Sequence, residues 1–291
     1  MKKPVFEGTA TAIVTPFKDG TIDFDVFRQL LERQISAGID AIVVCGTTGE
    51  SATLSDQEKL DLIACAIQYT AGRCKIIAGT GSNNTAHAIG LSRVAASMGA
   101  DALLLVTPYY NKCTQDGLIR HFSDIADAAG IDCIIYTVPS RTGMDVTAET
   151  CKKLSAHPLL NGIKEASGSI SKAARIRNVC GDDFFIWSGN DDQTVPLMSL
   201  GAKGVISVLS NVRPEKTVQM THLCLSGNVL QAGKMQTELM DLIDALFCEV
   251  NPIPVKKALE LEGTSVGLPR MPLTELSVKN TARLKSALSA V

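Results

Sequence analysis

Lys164 is the residue whose chemistry the chain has to explain. It lies in Asn161-Gly162-Ile163-Lys164-Glu165-Ala166-Ser167-Gly168, a segment that otherwise reads as a buried strand closed by small residues. In a strand of period two its side chain leaves the face opposite to Ile163 and Glu165. An amine aimed into an apolar interior is stripped of hydration, which lowers its proton affinity from an ordinary pKa near ~10.4. A lysine so placed can attack a carbonyl carbon and form a Schiff base. Taken alone, the stretch also fits an edge-strand lysine facing water, so its surroundings decide.

Other apolar runs end in residues suited to the same reaction. Gly46-Thr47-Thr48-Gly49-Glu50-Ser51 sets two hydroxyls and several backbone N–H groups between glycines, a cradle for a carboxylate or an oxyanion, or simply a turn and helix cap. No Gly-Lys-Ser/Thr follows, which argues against a phosphate loop. Thr107-Pro108-Tyr109-Tyr110-Asn111 places two of the four tyrosines side by side, for chemistry or for packing. Tyr136-Thr137-Val138-Pro139-Ser140-Arg141-Thr142-Gly143 offers a phenol for proton relay and a guanidinium for an anion, or for a surface ion pair. Ser188-Gly189-Asn190-Asp191 and Gly204–Val208 would wall a central pocket.

Positioning these groups together takes a specific scaffold. Apolar runs at 9–16, 41–45, 75–78, 102–107, 133–138, 162–166, 184–187 and 203–208 are rich in Val and Ile and apolar on both faces, as parallel strands covered by helices are. Amphipathic segments at 25–37, 55–70, 85–98, 116–129, 147–155, 169–180, 191–200 and 214–225 alternate with them. Eight strand–helix units predict an α/β fold, a (β/α)8 TIM barrel over 1–226. Helices near 228–249, 253–262 and 274–288, separated by prolines and glycines, predict a C-terminal helical extension over 227–291. A doubly wound sheet is the competing topology, but Gly-x-Gly-x-x-Gly is absent after the first strand. Inside a barrel, Lys164 becomes a catalytic amine.

Composition excludes other classes. A net charge of −2 gives no electrostatic reason to bind nucleic acid or an anionic membrane. No apolar run reaches the ~18 residues of a membrane span, and none near the start resembles a leader, so a cytoplasmic location is expected. The nine cysteines are scattered with no Cys-x-x-Cys pair, and the four histidines lack metal-ligand spacing. Neither a disulfide framework nor a metal site is expected.

Thr11–Phe17, Gly46–Ser51, Val106–Asn111, Tyr136–Gly143, Gly162–Gly168 and Asn251–Lys256, in this order and spacing, resemble the dihydrodipicolinate synthase family of pyruvate-dependent class I aldolases. The superfamily includes N-acetylneuraminate lyase. The resemblance implies condensation of pyruvate with L-aspartate 4-semialdehyde through a Lys164 Schiff base and enamine, the first committed step of diaminopimelate and lysine biosynthesis. It implies no cofactor beyond that covalent adduct. Tyr136, Thr47 and Tyr110 match the family's proton relay, with Tyr110 supplied by a neighbouring subunit of a homotetramer built as a dimer of dimers. Thr48 matches the residue whose backbone holds the pyruvate carboxylate, Arg141 the arginine that receives the semialdehyde carboxylate, and Gly189 and Ile206 pocket walls. Thr137 and Cys113 stand where Asn and Pro are common in the family, with no catalytic consequence.

The resemblance also locates a lysine-effector site, and this chain departs from it. Ser51, Ala52, Asn83 and Tyr109 match, but a glutamate and two histidines are replaced by His87, Asp56 and Lys59. A cationic ligand meets an added like charge, so weak lysine inhibition or none is expected. Two alternatives remain: a related 2-keto-acid aldolase such as N-acetylneuraminate lyase, and a catalytically dead relative. Every matched catalytic position is filled, which argues against the second.

Overall fold

A computed structural model describes residues 2–291 of the chain. Eight parallel strands close into a barrel: β1 (Gly8–Ala12), β4 (Ala41–Val44), β5 (Lys75–Gly79), β6 (Ala102–Val106), β7 (Cys133–Thr137), β8 (Leu160–Glu165), β9 (Phe185–Ser188) and β10 (Gly204–Ser207). The remaining two, β2 (Phe17–Lys18) and β3 (Thr21–Ile22), form a small antiparallel hairpin. The barrel expectation holds. Its first strand is shorter than the apolar run suggested, because pairing stops at Ala12. The hairpin turns on Asp19-Gly20, with φ of 51° and 79°. Asp-Gly is a two-residue turn signal that was there to be read.

Strand alternation divides the core in two. Cys133, Ile135, Leu103, Leu105, Ile42 and Val44 face outward into the layer packed by helices. Ile134, Tyr136, Leu104, Val43, Ile77 and Ile206 face inward and fill the barrel. Phe6, just ahead of β1, stacks on Trp187 with ring centroids 5.2 Å apart and closes the interior from the strands' N-terminal end. The opposite, C-terminal end is left for chemistry.

The surrounding helices begin where caps dictate. At the start of the helix Asp56–Thr70, Ser55 and Glu58 form a reciprocal capping box; the helix Thr85–Ser97 is capped by Asn84, and the helix Gln115–Ala129 by Thr114. The segment expected as one helix over 191–200 instead starts as a 3-10 turn, Asp191–Gln193, before the short helix Thr194–Ser199. Asp191 is diverted there by side-chain bonds to the next strand end. A helical turn at Pro139–Thr142 carries Arg141. Helices Val229–Leu246, Ile253–Leu261 and Val278–Ser289 follow the barrel, and the segment joining them reaches back over the C-terminal end of the strands.

Candidate active site

Register places the reacting groups side by side. Lys164 on β8 pairs with Tyr136 on β7 and with Trp187 on β9, and all three side chains are buried. The Lys164 Nζ sits 4.2 Å from the centroid of the Tyr136 ring, and the residue is 6% exposed. Burial lowers the Lys164 amine to about 7, reinforced by the Arg141 charge and opposed by Asp191. Neighbouring Glu165 faces the other way: it bonds the Ser167 N–H and pairs with Lys172 at 3.0 Å. The period-two reading of this stretch therefore describes both side chains.

Burial raises the Tyr136 phenol, while Arg141 and a hydrogen bond with Thr47 pull it back. Thr47 and Tyr136, two of the three residues expected to relay protons, line one pocket of the same chain. Tyr110, the third, is elsewhere: it is 94% exposed, with φ of 69°, a left-handed conformation disfavoured for a side chain of that size. Gly189 lies against Lys164, since a Cβ there would come within 3.1 Å of Lys164 Cε and 2.6 Å of Ala166 Cβ. Ile206 is buried on the inner face of β10.

The C-terminal segment braces Thr48 and Arg141. Asn251 Nδ2 donates to Thr48 Oγ1 at 2.9 Å, and Arg141 Nη2 donates to the Asn251 carbonyl at 3.3 Å. Glu50, which ends the same loop as Thr47 and Thr48, accepts from Lys256 Nζ at 2.8 Å and from the Arg270 N–H at 2.8 Å. Asn251 and Lys256 stand in a stretch quoted above only for its resemblance, and nothing local in the sequence signals that they reach Thr48 and Glu50.

A cavity of about 330 Å³ opens beside this site, lined by Thr47, Ser51, His87, Tyr109, Arg141 and Asn251 among others. It joins the Arg141 entrance to the effector positions. There the Asp56 carboxylate is engaged by His87 Nε2 at 2.7 Å and Lys59 Nζ at 3.3 Å, while His87 Nδ1 meets Ser82 Oγ at 3.1 Å. Asn83 and Asn111 lock the two loops together through backbone carbonyls. Ser51 and Ala52 form the start of a 3-10 turn on the same rim. Among the described residues, no group of three or more His, Cys, Asp or Glu could hold a metal ion.

Over residues 5–291 the chain matches the dihydrodipicolinate synthetase family. It belongs to that family. A 4-hydroxy-tetrahydrodipicolinate synthase of Caldicellulosiruptor saccharolyticus is 51% identical over 286 residues, covering 98% of this chain and 97% of that one. Among solved structures, a family member from Cyanidioschyzon merolae with lysine bound superposes with a TM-score of 0.96 at 42% identity, covering 99% of both chains. A chloride-inhibited synthase of Acinetobacter baumannii complexed with pyruvate gives 0.96 at 40% identity, covering 98% of each. In this family member the buried amine near pKa 7 has a direct kinetic consequence. With Lys164 as the attacking amine only its neutral form reacts, and kcat/KM for pyruvate should then rise about tenfold per pH unit below about pH 7 and level off above it. Initial rates across the acid and neutral range test this; a rise centred near the pKa of an ordinary lysine would contradict it.

Proposed function

We propose that Lys164 is the Schiff-base nucleophile of a 4-hydroxy-tetrahydrodipicolinate synthase, on the strength of one observation: an amine buried inside a closed barrel, over a phenol, and lowered to about 7. The chain is a lyase of lysine and diaminopimelate biosynthesis, and its reaction is condensation of pyruvate with L-aspartate 4-semialdehyde. The neutral Lys164 amine attacks pyruvate C2, and the carbinolamine takes up a proton and loses water to leave an iminium. Loss of a C3 proton gives the enamine, whose C3 attacks the aldehyde carbon while the nitrogen lone pair re-forms the iminium and the aldehyde oxygen takes up a proton. The semialdehyde's own amine then adds to the former C2, closes the ring and releases Lys164.

Tyr136, Thr47 and Tyr110 carry the protons of these steps. The Thr48 backbone holds the pyruvate carboxylate, Arg141 receives the semialdehyde carboxylate, and Gly189 and Ile206 bound the reacting carbon. The chemistry needs only the Lys164–pyruvate adduct and no metal. Tyr110, exposed and held in a left-handed conformation, serves the site of a second copy of the chain; the working form is a homo-oligomer, a tetramer of paired dimers. No helix among the described residues is long and apolar enough to cross a membrane, and we place the enzyme in the cytoplasm.

A sugar-acid aldolase is the alternative. Pyruvate with the semialdehyde should give product, while N-acetylneuraminate and 2-keto-3-deoxygluconate should be cleaved at least about a hundredfold more slowly, the discrimination of a site built around a different set of polar contacts. Faster cleavage of either sugar acid would overturn the assignment. At the effector positions, the one carboxylate is already bound by His87 and Lys59, so a lysine ammonium finds no free counter-charge there. Calorimetry with L-lysine should show no binding in the micromolar range, and micromolar binding or inhibition would contradict this.

A further inference from the structure

Asp191 is a buried carboxylate that the mechanism above leaves without a task. It is 2% exposed and sits in the turn after β9, two residues beyond Gly189. Its Oδ2 accepts the backbone N–H groups of Val208 at 2.9 Å and Leu209 at 3.0 Å, tying the end of β9 to the end of β10. Two such bonds fix the carboxylate plane. Its Oδ1 is buried and has no hydrogen-bond partner. An unpartnered buried carboxylate oxygen is costly unless a positive charge lies close enough to repay it.

The groups whose charge or polarity bears on this position are few. Around Asp191 they are the Ser207 hydroxyl, the two amides and Lys164. Around Lys164 they are Asp191, the Arg141 guanidinium and the Tyr136 phenol. Asp191 is therefore the one negative charge that bears on the amine, set against a positive Arg141. Neutral amine and neutral pyruvate carbonyl need no such charge. The iminium that follows does, because it carries a full positive charge in the same desolvated interior.

The geometry points to Asp191 as the fixed counter-charge of the Lys164–pyruvate iminium: the Val208 and Leu209 amides hold its Oδ2, its Oδ1 is buried without a partner, and Gly189, two residues earlier, lies against Lys164 Cε. It acts through Lys164 and touches no reacting atom, which makes it a positioning residue. This rests on Lys164 being the Schiff-base lysine.

Asp191→Asn tests it, because the amide keeps an acceptor oxygen for the two N–H groups and removes only the charge. Borohydride trapping of the pyruvate adduct is followed against pH and pyruvate concentration in both proteins. Loss of the counter-charge should move the acid limb of trapping to lower pH by about one unit and raise the half-saturating pyruvate concentration about tenfold, the same energy read twice. An unmoved acid limb, with or without a slower rate, would assign Asp191 to bracing the strand ends and overturn the inference. Failure of the unsubstituted enzyme to trap at Lys164 would instead sink the reading on which this one rests. Should Asp191→Asn fold poorly, thermal unfolding of Lys164→Met with and without Asp191→Asn decides. A smaller loss in the Lys164→Met background supports a charge pair, and an equal loss, or failure of both proteins to fold, overturns it.

Discussion

Co-expressed in equal amounts, Lys164→Met and Tyr110→Phe chains are expected to recover activity that neither shows alone. Without the amine no covalent adduct forms, and condensation should fall on the order of 10⁴-fold or more. With Tyr110 as a proton-relay member, loss of its hydroxyl should cost about 10²-fold. If Tyr110 acts in the neighbouring subunit, a mixed pair has one dead site and one whole site. Random pairing makes half of all pairs mixed, so about a quarter of wild-type activity should return. The prediction follows from geometry: within the chain Tyr136 lies against Lys164 and lines a pocket with Thr47, whereas Tyr110 is 94% exposed. No recovery would place Tyr110 in its own subunit's site, or outside the mechanism.

The second large effect concerns stability. Lys256 and Glu50 form an ion pair whose side chains are 2% and 1% exposed, with Lys256 Nζ also donating to the Thr15 carbonyl at 3.1 Å and lying 4.4 Å from the Phe17 ring centroid. Burial lowers the Lys256 amine, and Glu50 opposes that shift. Removing one partner strands the other charge inside the protein. Lys256→Met should therefore cost about 3–5 kcal/mol and lower Tm on the order of 10 °C. Because Glu50 closes the Thr47-Thr48 loop, KM for pyruvate should rise as well. Adding Glu50→Gln to Lys256→Met should restore most of the stability. A loss below about 1 kcal/mol in the single variant would mean that the pair is not what fastens the C-terminal segment to the barrel.

The contrast between Lys164 and Asp191 shows what can be read from a linear chain. Lys164 was legible because period-two alternation, applied to a run of eight strand–helix units, sends it inward, and the observed register sets it beside Tyr136. Asp191 sits in a segment that periodicity reads as the start of a helix. It is instead consumed by amides 17 and 18 residues away, a contact that exists only once β9 and β10 are adjacent. Asn251 and Lys256 bond residues more than 200 positions earlier, so their roles follow from the returning C-terminal segment. The helical turn Pro139–Thr142 is too short to show a period, although Pro at its first position suits it. Asp56 was counted as one of three altered effector residues. Lys59 reaches it from three positions along the same helix, but the His87 bond depends on the approach of a second helix that sequence spacing does not report.

The central claim is that a neutral, buried Lys164 amine bonds covalently to pyruvate. Incubation of the enzyme with pyruvate and borohydride, followed by peptide mass spectrometry, tests it most directly. One reduced pyruvyl adduct per chain, on Lys164 and with an acid limb near pH 7, is the predicted result. No adduct, or an adduct on any other lysine, would contradict it.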